Sequence, residues 1–595
     1  MDRSKINVRR TFHFVMIKPS HYDDDGYVIQ WMRSAIPSNS LATLNGLALD
    51  CAERKVLGDD VNLALSVYDE TNTRIKPEKI IRRIRQDGGQ GLVALVGVQS
   101  NQFPRAVDIA RPLRAAGIPV CIGGFHVSGC LAMLPHLPAD IRQAQDMGIS
   151  MFAGEAEGAR LDQLLLDAYR GDLKPLYNFM DNLPGLAGAP TPILPRHRIM
   201  RTAGAPTSFD AGRGCPFQCS FCTIINVQGR KSRYRSPDDI ERIVRDNAAQ
   251  GIHHFFITDD NFARNKDWES VFDRLIKLRE QDGLSVHCII QVDTLCHKIP
   301  NFIEKAGRAG VTRVFIGLEN INPESLTSAK KRQNRITEYR QMLLAWKSIG
   351  AITYAGYILG FPIDTPETIV RDIRIIQREL PLDLLEFFYL TPLPGSEDHQ
   401  NLWKQGIWMD PDLNKYDLNH VTAKHPLMSK EEWERAYRLA WETYYTPEHM
   451  ETVMRRAEAH GISAGKLMFL LIWFYGCITV ERIHPLEGGF FRLKFRRDRR
   501  PGLPIESPFL FYPRCGWELL TKHLRLLRLI WMTGRMRARI KRDPNRRDYK
   551  DLSLSPVTEE QFDQLEMFTV TGAAKAAVDK KRRQDAQRAA PAAAG

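Results

Sequence analysis

Short apolar runs alternate with stretches of helical periodicity along residues 12–390, and that alternation restricts the chain to parallel sheets joined by helical crossovers. The first series predicts strands at Phe12–Ile17, Leu63–Val67, Leu92–Val98, Pro119–Ile122 and Ser150–Ala153. Helices are predicted between them at Leu41–Arg54, Pro77–Gln86, Pro104–Ala116 and Glu157–Tyr169. A Pro- and Gly-rich segment, Leu183–Pro206, breaks the pattern and reads as a linker. A second series then predicts strands at Thr207–Asp210, Ile252–Thr258, Val286–Val292, Arg313–Leu318, Ile352–Leu359 and Glu386–Leu390. Six strands with intervening helices suggest a partial (β/α)6 barrel, a fold whose sites lie at the C-terminal strand ends.

From Ser429 the pattern is mainly helical. Ser429–Glu432 is a capping-box sequence, and Trp433, Tyr437, Trp441 and Tyr444 recur at helical spacing, which predicts an inward aromatic stripe. Residues 572–595 carry little apolar bulk and are expected to form a disordered tail. The fold class is therefore α/β. It divides into a Rossmann-like N-terminal domain (1–182), a linker (183–206), a partial barrel (207–428), a mainly helical basic region (429–571) and the tail (572–595).

Location and charge narrow the partners. Met1–Arg10 is polar, and the longest fully apolar stretch, Leu467–Val480, has 14 residues, short of the roughly 20 that span a bilayer. A cytoplasmic, reducing location is expected, with the ten cysteines as thiols or metal ligands. The net charge of +13 is concentrated: residues 490–500 carry +5 and residues 522–547 carry +9. Such runs either cover the barrel with arginines facing water or contact a membrane peripherally. Nucleic acid is not expected, because no recognition motif accompanies the charge.

The strongest chemical signal directly follows the first barrel strand. Arg213-Gly214-Cys215-Pro216-Phe217-Gln218-Cys219-Ser220-Phe221-Cys222 has the spacing C-x3-C-x2-C. Three thiolates this close converge on a compact soft centre, either zinc or an iron–sulfur cluster. A closed zinc site wants a fourth ligand, and the next His or Cys is His253.

In this context the chain resembles the radical S-adenosylmethionine (SAM) enzymes. The resemblance implies that Cys215, Cys219 and Cys222 hold a 4Fe–4S cluster whose fourth iron is chelated by SAM. It places Phe221 before the last cysteine. It also implies that Thr258-Asp259-Asp260-Asn261-Phe262 receives the SAM amino group through Asp259, Asp260 or Asn261. Gly317-Leu318-Glu319 matches the family's Gly-x-Glu strand end. Gly356-Tyr357-Ile358-Leu359-Gly360 matches a stretch against the adenine, and Thr391-Pro392-Leu393-Pro394-Gly395 a Pro-x-Pro-Gly turn. SAM contacts are thereby assigned to Phe221, Asp259, Asp260, Asn261, Glu319 and Gly360.

The N-terminal domain resembles the cobalamin-binding domain of one radical SAM subgroup. The matching pieces are Val96-Gly97-Val98-Gln99-Ser100, Cys121-Ile122-Gly123-Gly124-Phe125-His126 and Gly154-Glu155-Ala156-Glu157. This likeness assigns cobalamin contacts to Gly97, Ser100, Gly123, Gly124, Phe125, His126, Gly154 and Glu155. The Asp-x-His-x-x-Gly signature is absent, so His126 is not assigned as a cobalt ligand. The loop His21–Ser40 is polar rather than Pro-rich, and no role follows from its sequence. Cys51, Cys121 and Cys130 are arranged unlike a second cluster, which argues against the methylthiotransferases. Cys288, Cys296, Cys477 and Cys515 read as buried thiols.

The resemblance implies a methyltransferase that acts at an unreactive carbon through a 5′-deoxyadenosyl radical and methylcobalamin. A cyclase or rearrangement enzyme of the same subgroup is the alternative within the class. A non-catalytic cofactor- or membrane-binding protein is the alternative outside it. The expected partners are a small molecule, with a lipid or tetrapyrrole favoured, and an electron donor such as flavodoxin or ferredoxin.

Anaerobic reconstitution should load about four irons per chain, and Cys215→Ala, Cys219→Ala or Cys222→Ala should each abolish SAM cleavage. A single tightly bound zinc without iron–sulfur absorption would contradict this reading.

Overall fold

The helical crossovers place both series of strands in all-parallel sheets. The computed structural model describes residues 10–589. The N-terminal domain contains β1 (Arg10–Lys18), β2 (Gln30–Ser34), β3 (Val61–Asp69), β4 (Gly91–Leu95), β5 (Val120–Gly123), β6 (Ser150–Ala153) and β7 (Leu176–Asn178). Six of these form one parallel sheet in the order β3-β1-β4-β5-β6-β7. Strand alternation sorts its two layers. Phe12, Phe14 and Met16 of β1 pack with Leu41, Leu47, Leu161 and Leu165 on one face. Val15 and Ile17 pack with Ile80, Ile84, Ile109 and Leu113 on the other. The strand order reverses between β1 and β4, and the crevice beyond such a switch point is where doubly wound sheets bind ligands.

The barrel begins with β8 (Thr207–Phe209), followed by the short hairpin partners β9 (Gly212–Arg213) and β10 (Arg233–Tyr234). β11 (His254–Ile257), β12 (His287–Val292), β13 (Val311–Glu319), β14 (Ile352–Leu359) and β15 (Leu384–Tyr389) then complete it. The sheet runs β15-β14-β13-β12-β11-β8 in sequential parallel order, so the barrel is open between its first and last strands. β4 ends earlier than expected, because the chain turns at Gly97, where φ is +63°.

The C-terminal region covers the barrel near that edge. The predicted aromatic stripe is buried: Tyr437 stacks on Tyr389 at 4.2 Å, and Trp441 meets Phe387 edge-on at 5.2 Å. Two expectations are corrected. Gly572–Ala589 is a helix rather than a disordered tail. Its alanines favour helix, Ala574 and Val578 bury one face in the barrel core, and Lys581 pairs with Glu338 at 3.2 Å. Residues 590–595 lie outside the described residues. The helix Ala464–Gly476 also continues through a π-turn, Cys477–Glu481. By length and composition Ala464–Glu481 is therefore apolar enough to cross a membrane, with 39% of it buried against the rest of the protein.

The strand β2 pairs antiparallel with β16 (Gly489–Leu493), so the C-terminal region braces the loop after β1. Asp23 of that loop pairs with Arg492 at 2.9 Å, and Asp25 with Lys494 at 3.2 Å. Arg74 pairs with Asp498, and Arg500 with Asp412. The basic run 490–500 is thus largely neutralised inside the protein.

Glu386 on β15 is fully buried, and neither carboxylate oxygen has a hydrogen-bond partner. Burial pushes its pKa from the ordinary 4.5 up to about 8. The folded protein therefore holds a proton there that the unfolded chain releases. Stability falls as pH rises through that window, at about 1.4 kcal/mol per pH unit. Glu386→Gln removes the ionisation. The melting-temperature advantage of the variant over the parent should widen between about pH 5 and about pH 8. A constant gap in differential scanning calorimetry would rule this out.

Candidate functional site

The cysteine loop leaves the C-terminal side of β8 through a turn that only glycine fits easily. Gly214 has φ +90°, and a Cβ there would lie 2.5 Å from the Lys231 carbonyl oxygen. The Cys215 N–H donates to Gly229 O at 3.2 Å, and the Ser220 N–H to Ala329 O at 3.1 Å. The loop is therefore pinned at both ends before any ligand binds. Cys219 is buried, and Cys215 and Cys222 are half-buried. Burial raises the Cys215 thiol and pushes Cys222 up to about 12, with the Asp260 charge adding to both. Among the described residues, the three sulfurs do not form a set lying within 4.8 Å of one another. Zn–S bonds of about 2.3 Å would place tetrahedral thiolates roughly 3.8 Å apart, so the three thiols as they stand do not form a tetrahedral single-ion site.

Polar groups surround the thiols. Gln333 Nε2 donates to Cys219 Sγ at 3.4 Å. Lys331 sits over the Phe221 ring at 5.6 Å and pairs with Glu319 at 2.6 Å. Burial opposes its charge, but Glu319 and then the Cys219 and Cys222 thiolates outweigh burial and raise its pKa. An ammonium held there offsets the negative charge of thiolate ligands.

The three predicted residues after β11 have different environments. Asp259 is buried, and its Oδ1 accepts the Ala211 and Gly212 N–H groups at 2.7 and 2.8 Å. Its Oδ2 accepts from Asn265 at 2.9 Å. Asp259 thus fastens the strand that leads into the cysteines. Asn261 donates to Asp293 at 3.0 Å and accepts its N–H at 3.2 Å, which ties β11 to β12. Asp260 instead lines the cavity beside Gly212 and Arg213. Burial, with Asp259 adjacent, pushes its carboxyl up to about 7. Glu319 stands at a strand bulge with φ +61° and is engaged by Lys331. Gly360 lies under Trp433, where a Cβ would come within 1.9 Å of the indole, and its N–H donates to Asp364 at 2.9 Å.

The N-terminal glycines face the segments that flank the cysteine loop across one space. A cavity of about 310 Å³ is lined by Gly97, Gly123, Gly124 and Gly154 on one side and by Gly212, Arg213 and Asp260 on the other. Phe125 and Glu155 also line it. At Gly124 φ is +151°, and a Cβ would meet the Val98 nitrogen at 2.2 Å, so the backbones of two strand ends touch. A second cavity of about 430 Å³ shares Asn39, Ser40, Gly97, Phe125 and Ile224, and extends to Ser100, His21, Asp417 and Glu487. His126 lines neither cavity. Its Nε2 meets Asp140 at 2.7 Å, its Nδ1 meets Ser100 Oγ at 3.1 Å, and it is buried beside Phe103.

The sequence assigned no joining role to the residues that link the two halves. Arg213 bonds Glu155 at 2.8 Å and Glu157 at 2.6 Å, and approaches Asp210 at 3.2 Å. Arg233 adds a second bond to Glu155 at 2.5 Å. Glu155, predicted as a cofactor contact, is thus also an interdomain anchor. Arg213 lies inside the cysteine motif, and that position is its only signal. Lys331 and Gln333 follow β13 in a basic, polar stretch with no distinguishing pattern. His21, Asp417 and Glu487 meet within 4.8 Å from three distant segments, which no local pattern could reveal.

Residues 211–376 match the radical SAM superfamily. The chain is 25% identical to the bacteriochlorophyllide d C-8(2)-methyltransferase of Chlorobaculum tepidum over 364 residues, covering 58% of this chain and 75% of the relative. It is 23% identical to the hopanoid C-2 methylase of Rhodopseudomonas palustris over 431 residues, covering 70% and 79%. The solved structure of TsrM, a radical SAM methyltransferase from Kitasatospora setae with cobalamin and a [4Fe–4S] cluster bound, superposes with a TM-score of 0.53 at 15% identity, covering 73% of this chain and 89% of TsrM. With an open parallel barrel that has three cysteines after its first strand, preceded by a doubly wound sheet, this chain thus carries a radical SAM domain over residues 211–376 and shares the fold of TsrM.

Proposed function

We propose that this protein is a cobalamin-dependent radical SAM methyltransferase that acts at an unreactive carbon of a small molecule. One observation carries the reading. Residues on either side of the cysteine loop, Gly212, Arg213, Ile224 and Gln228, share a cavity wall with Asp260 and the glycine-lined ends of the N-terminal sheet, so the two cofactor sites would adjoin one space. The relatives' names support methyl transfer over cyclisation, and they point to tetrapyrrole or hopanoid-like carbon skeletons as the substrate class. When bound, the cluster with SAM supplies a 5′-deoxyadenosyl radical for hydrogen abstraction, and cobalamin supplies the methyl group.

The chain's residues divide the remaining work. Cys215, Cys219 and Cys222 would hold the cluster, with Gln333 and Lys331 as donors and countercharge around the sulfurs. Asp260 would accept from the SAM amino group, since Asp259 has its acceptors filled. Phe221, Glu319 and Gly360 would bound the rest of SAM. Gly97, Gly123, Gly124, Phe125, Gly154 and Glu155 would form the cobalamin cradle, and Ser100 its outer edge. His126 would support that cradle from beneath through Ser100. Electrons would come from a flavodoxin- or ferredoxin-like donor.

Two predictions test the assignment. Asp260→Asn keeps shape but removes the charge-assisted hydrogen bond, so SAM affinity should fall by about tenfold to a hundredfold with iron content unchanged. Asp259→Ala should instead lower iron retention, because the strand entering the cysteine loop loses its acceptor. Isothermal titration with iron analysis separates them, and SAM binding unaffected by Asp260→Asn would remove this residue from the site. The protein should also bind cobalamin with no protein imidazole on cobalt, and His126→Ala should leave the cob(II)alamin paramagnetic spectrum without a change in nitrogen splitting. A splitting that disappears in His126→Ala would show that the histidine moves onto the metal.

A further inference from the structure

The helix Pro508–Arg542 is apolar on two sides, and only one of them is used. Leu529, Thr533, Met536 and Ile540 recur at three- and four-residue spacing and are buried against the protein. On the opposite side Trp517, Leu520, Leu524, Leu527 and Trp531 recur at the same spacing and face outward. Trp517 is 68% exposed and Trp531 62%. Burying one stripe suffices to dock a helix, so the second needs its own explanation.

Charge identifies the occupant. The basic run 490–500 is largely paired internally, whereas the second run is paired only at Lys522, Arg539 and Arg546 among the described residues. Arg525, Arg528, Arg535, Lys541 and Arg542 are exposed, and none forms an ion pair among the described residues. Arg535 lies over the Trp531 ring at 4.8 Å, which keeps a cation at the edge of the apolar stripe. Long basic side chains flanking Trp and Leu suit a surface that is apolar within and anionic above, with the guanidinium heads reaching the charged layer. The same helix contributes Thr521, Lys522 and Arg525 to a cavity of about 320 Å³, whose inner wall is His21, Asp417, His484 and Glu487. Those four residues also line the 430 Å³ cavity beside the cysteine loop.

We propose that the outer face of the helix Pro508–Arg542 docks on an anionic phospholipid bilayer and sets the mouth of the 320 Å³ cavity at the lipid surface. The inference goes beyond the proposed reaction and does not depend on it, because docking needs neither cofactor nor substrate.

The test is co-sedimentation of the full-length protein with phosphatidylcholine vesicles and with vesicles containing phosphatidylglycerol. The parent should pellet with the anionic vesicles only, and affinity should drop about tenfold or more between about 0.1 M and about 0.5 M salt. Leu524→Glu with Trp531→Glu, and separately Arg528→Glu with Arg535→Glu, should each weaken binding by about tenfold or more while unfolding temperature and SAM cleavage stay at parental values. Failure of the parent to pellet, or equal pelleting with both lipids, overturns the proposal. So does loss confined to the arginine pair, which would mark a polyanion patch rather than a lipid face. A parent that sediments as a dimer, converted to monomer by the stripe variant, would show that a second copy covers this face and would equally overturn it.

Discussion

The buried guanidinium of Arg213 is the constraint on which the rest of the site depends. It precedes the cysteine loop by one residue and is held by Asp210 from its own strand and by Glu155 and Glu157 from the other domain. Burial opposes its charge, yet the three carboxylates outweigh burial and raise its pKa well above the ordinary value. An isolated buried ion pair stabilises a fold weakly, but a network with well-formed hydrogen bonds fixes geometry. Here it ties the N-terminal sheet to the strand that enters the cysteine loop. The helix Phe125–Met133 reinforces it, since a Cβ on Gly129 would strike the Pro394 carbonyl at 2.4 Å. Domain packing and site geometry are therefore set by the same contacts.

The elements were largely legible because each strand is a continuous apolar run bounded by turn residues. The two parallel sheets follow from that pattern alone, as does the barrel's sequential order. The cysteine spacing is local and carries its chemistry openly. Three things were not legible. The pairing of β2 with β16 joins segments more than four hundred residues apart, and neither is strongly strand-like by itself. The helix Gly572–Ala589 has too little apolar bulk to predict docking, because only Ala574 and Val578 need to be buried. The split between Asp259 and Asp260 depends on which carboxylate reaches the β8–β9 backbone, and sequence gives both the same identity and context.

The polar loop after β1 illustrates how a function can be hidden by composition. Its aspartates read as solvated loop residues. In the structure Asp23 and Asp25 neutralise Arg492 and Lys494, and this brings His21 against Asp417 and Glu487. Burial opposes the His21 imidazolium, but those two carboxylates outweigh burial and raise its pKa. A buried histidine between two acids is a rigid wall, not a mobile surface group. The loop, the barrel and the C-terminal region thus build that wall jointly, and none of them contains it alone.

The paired aspartates show how the fold separates structure from binding at adjacent positions. Successive residues of an extended segment point to opposite sides, so one of two neighbours can face the packed strands and the other the cavity. Asp259 takes the packed side, where two backbone N–H groups and Asn265 fill its acceptors although burial still pushes its carboxyl up to about 7. Asp260 takes the cavity side, where burial and its neighbour's charge both penalise ionisation. A carboxylate placed at such a cost in the free protein is relieved by a ligand that brings its own donors. The same desolvation that destabilises the empty site then strengthens the contact once a charged amine fills it. Local strain of this kind is expected where a fold serves a ligand rather than its own stability.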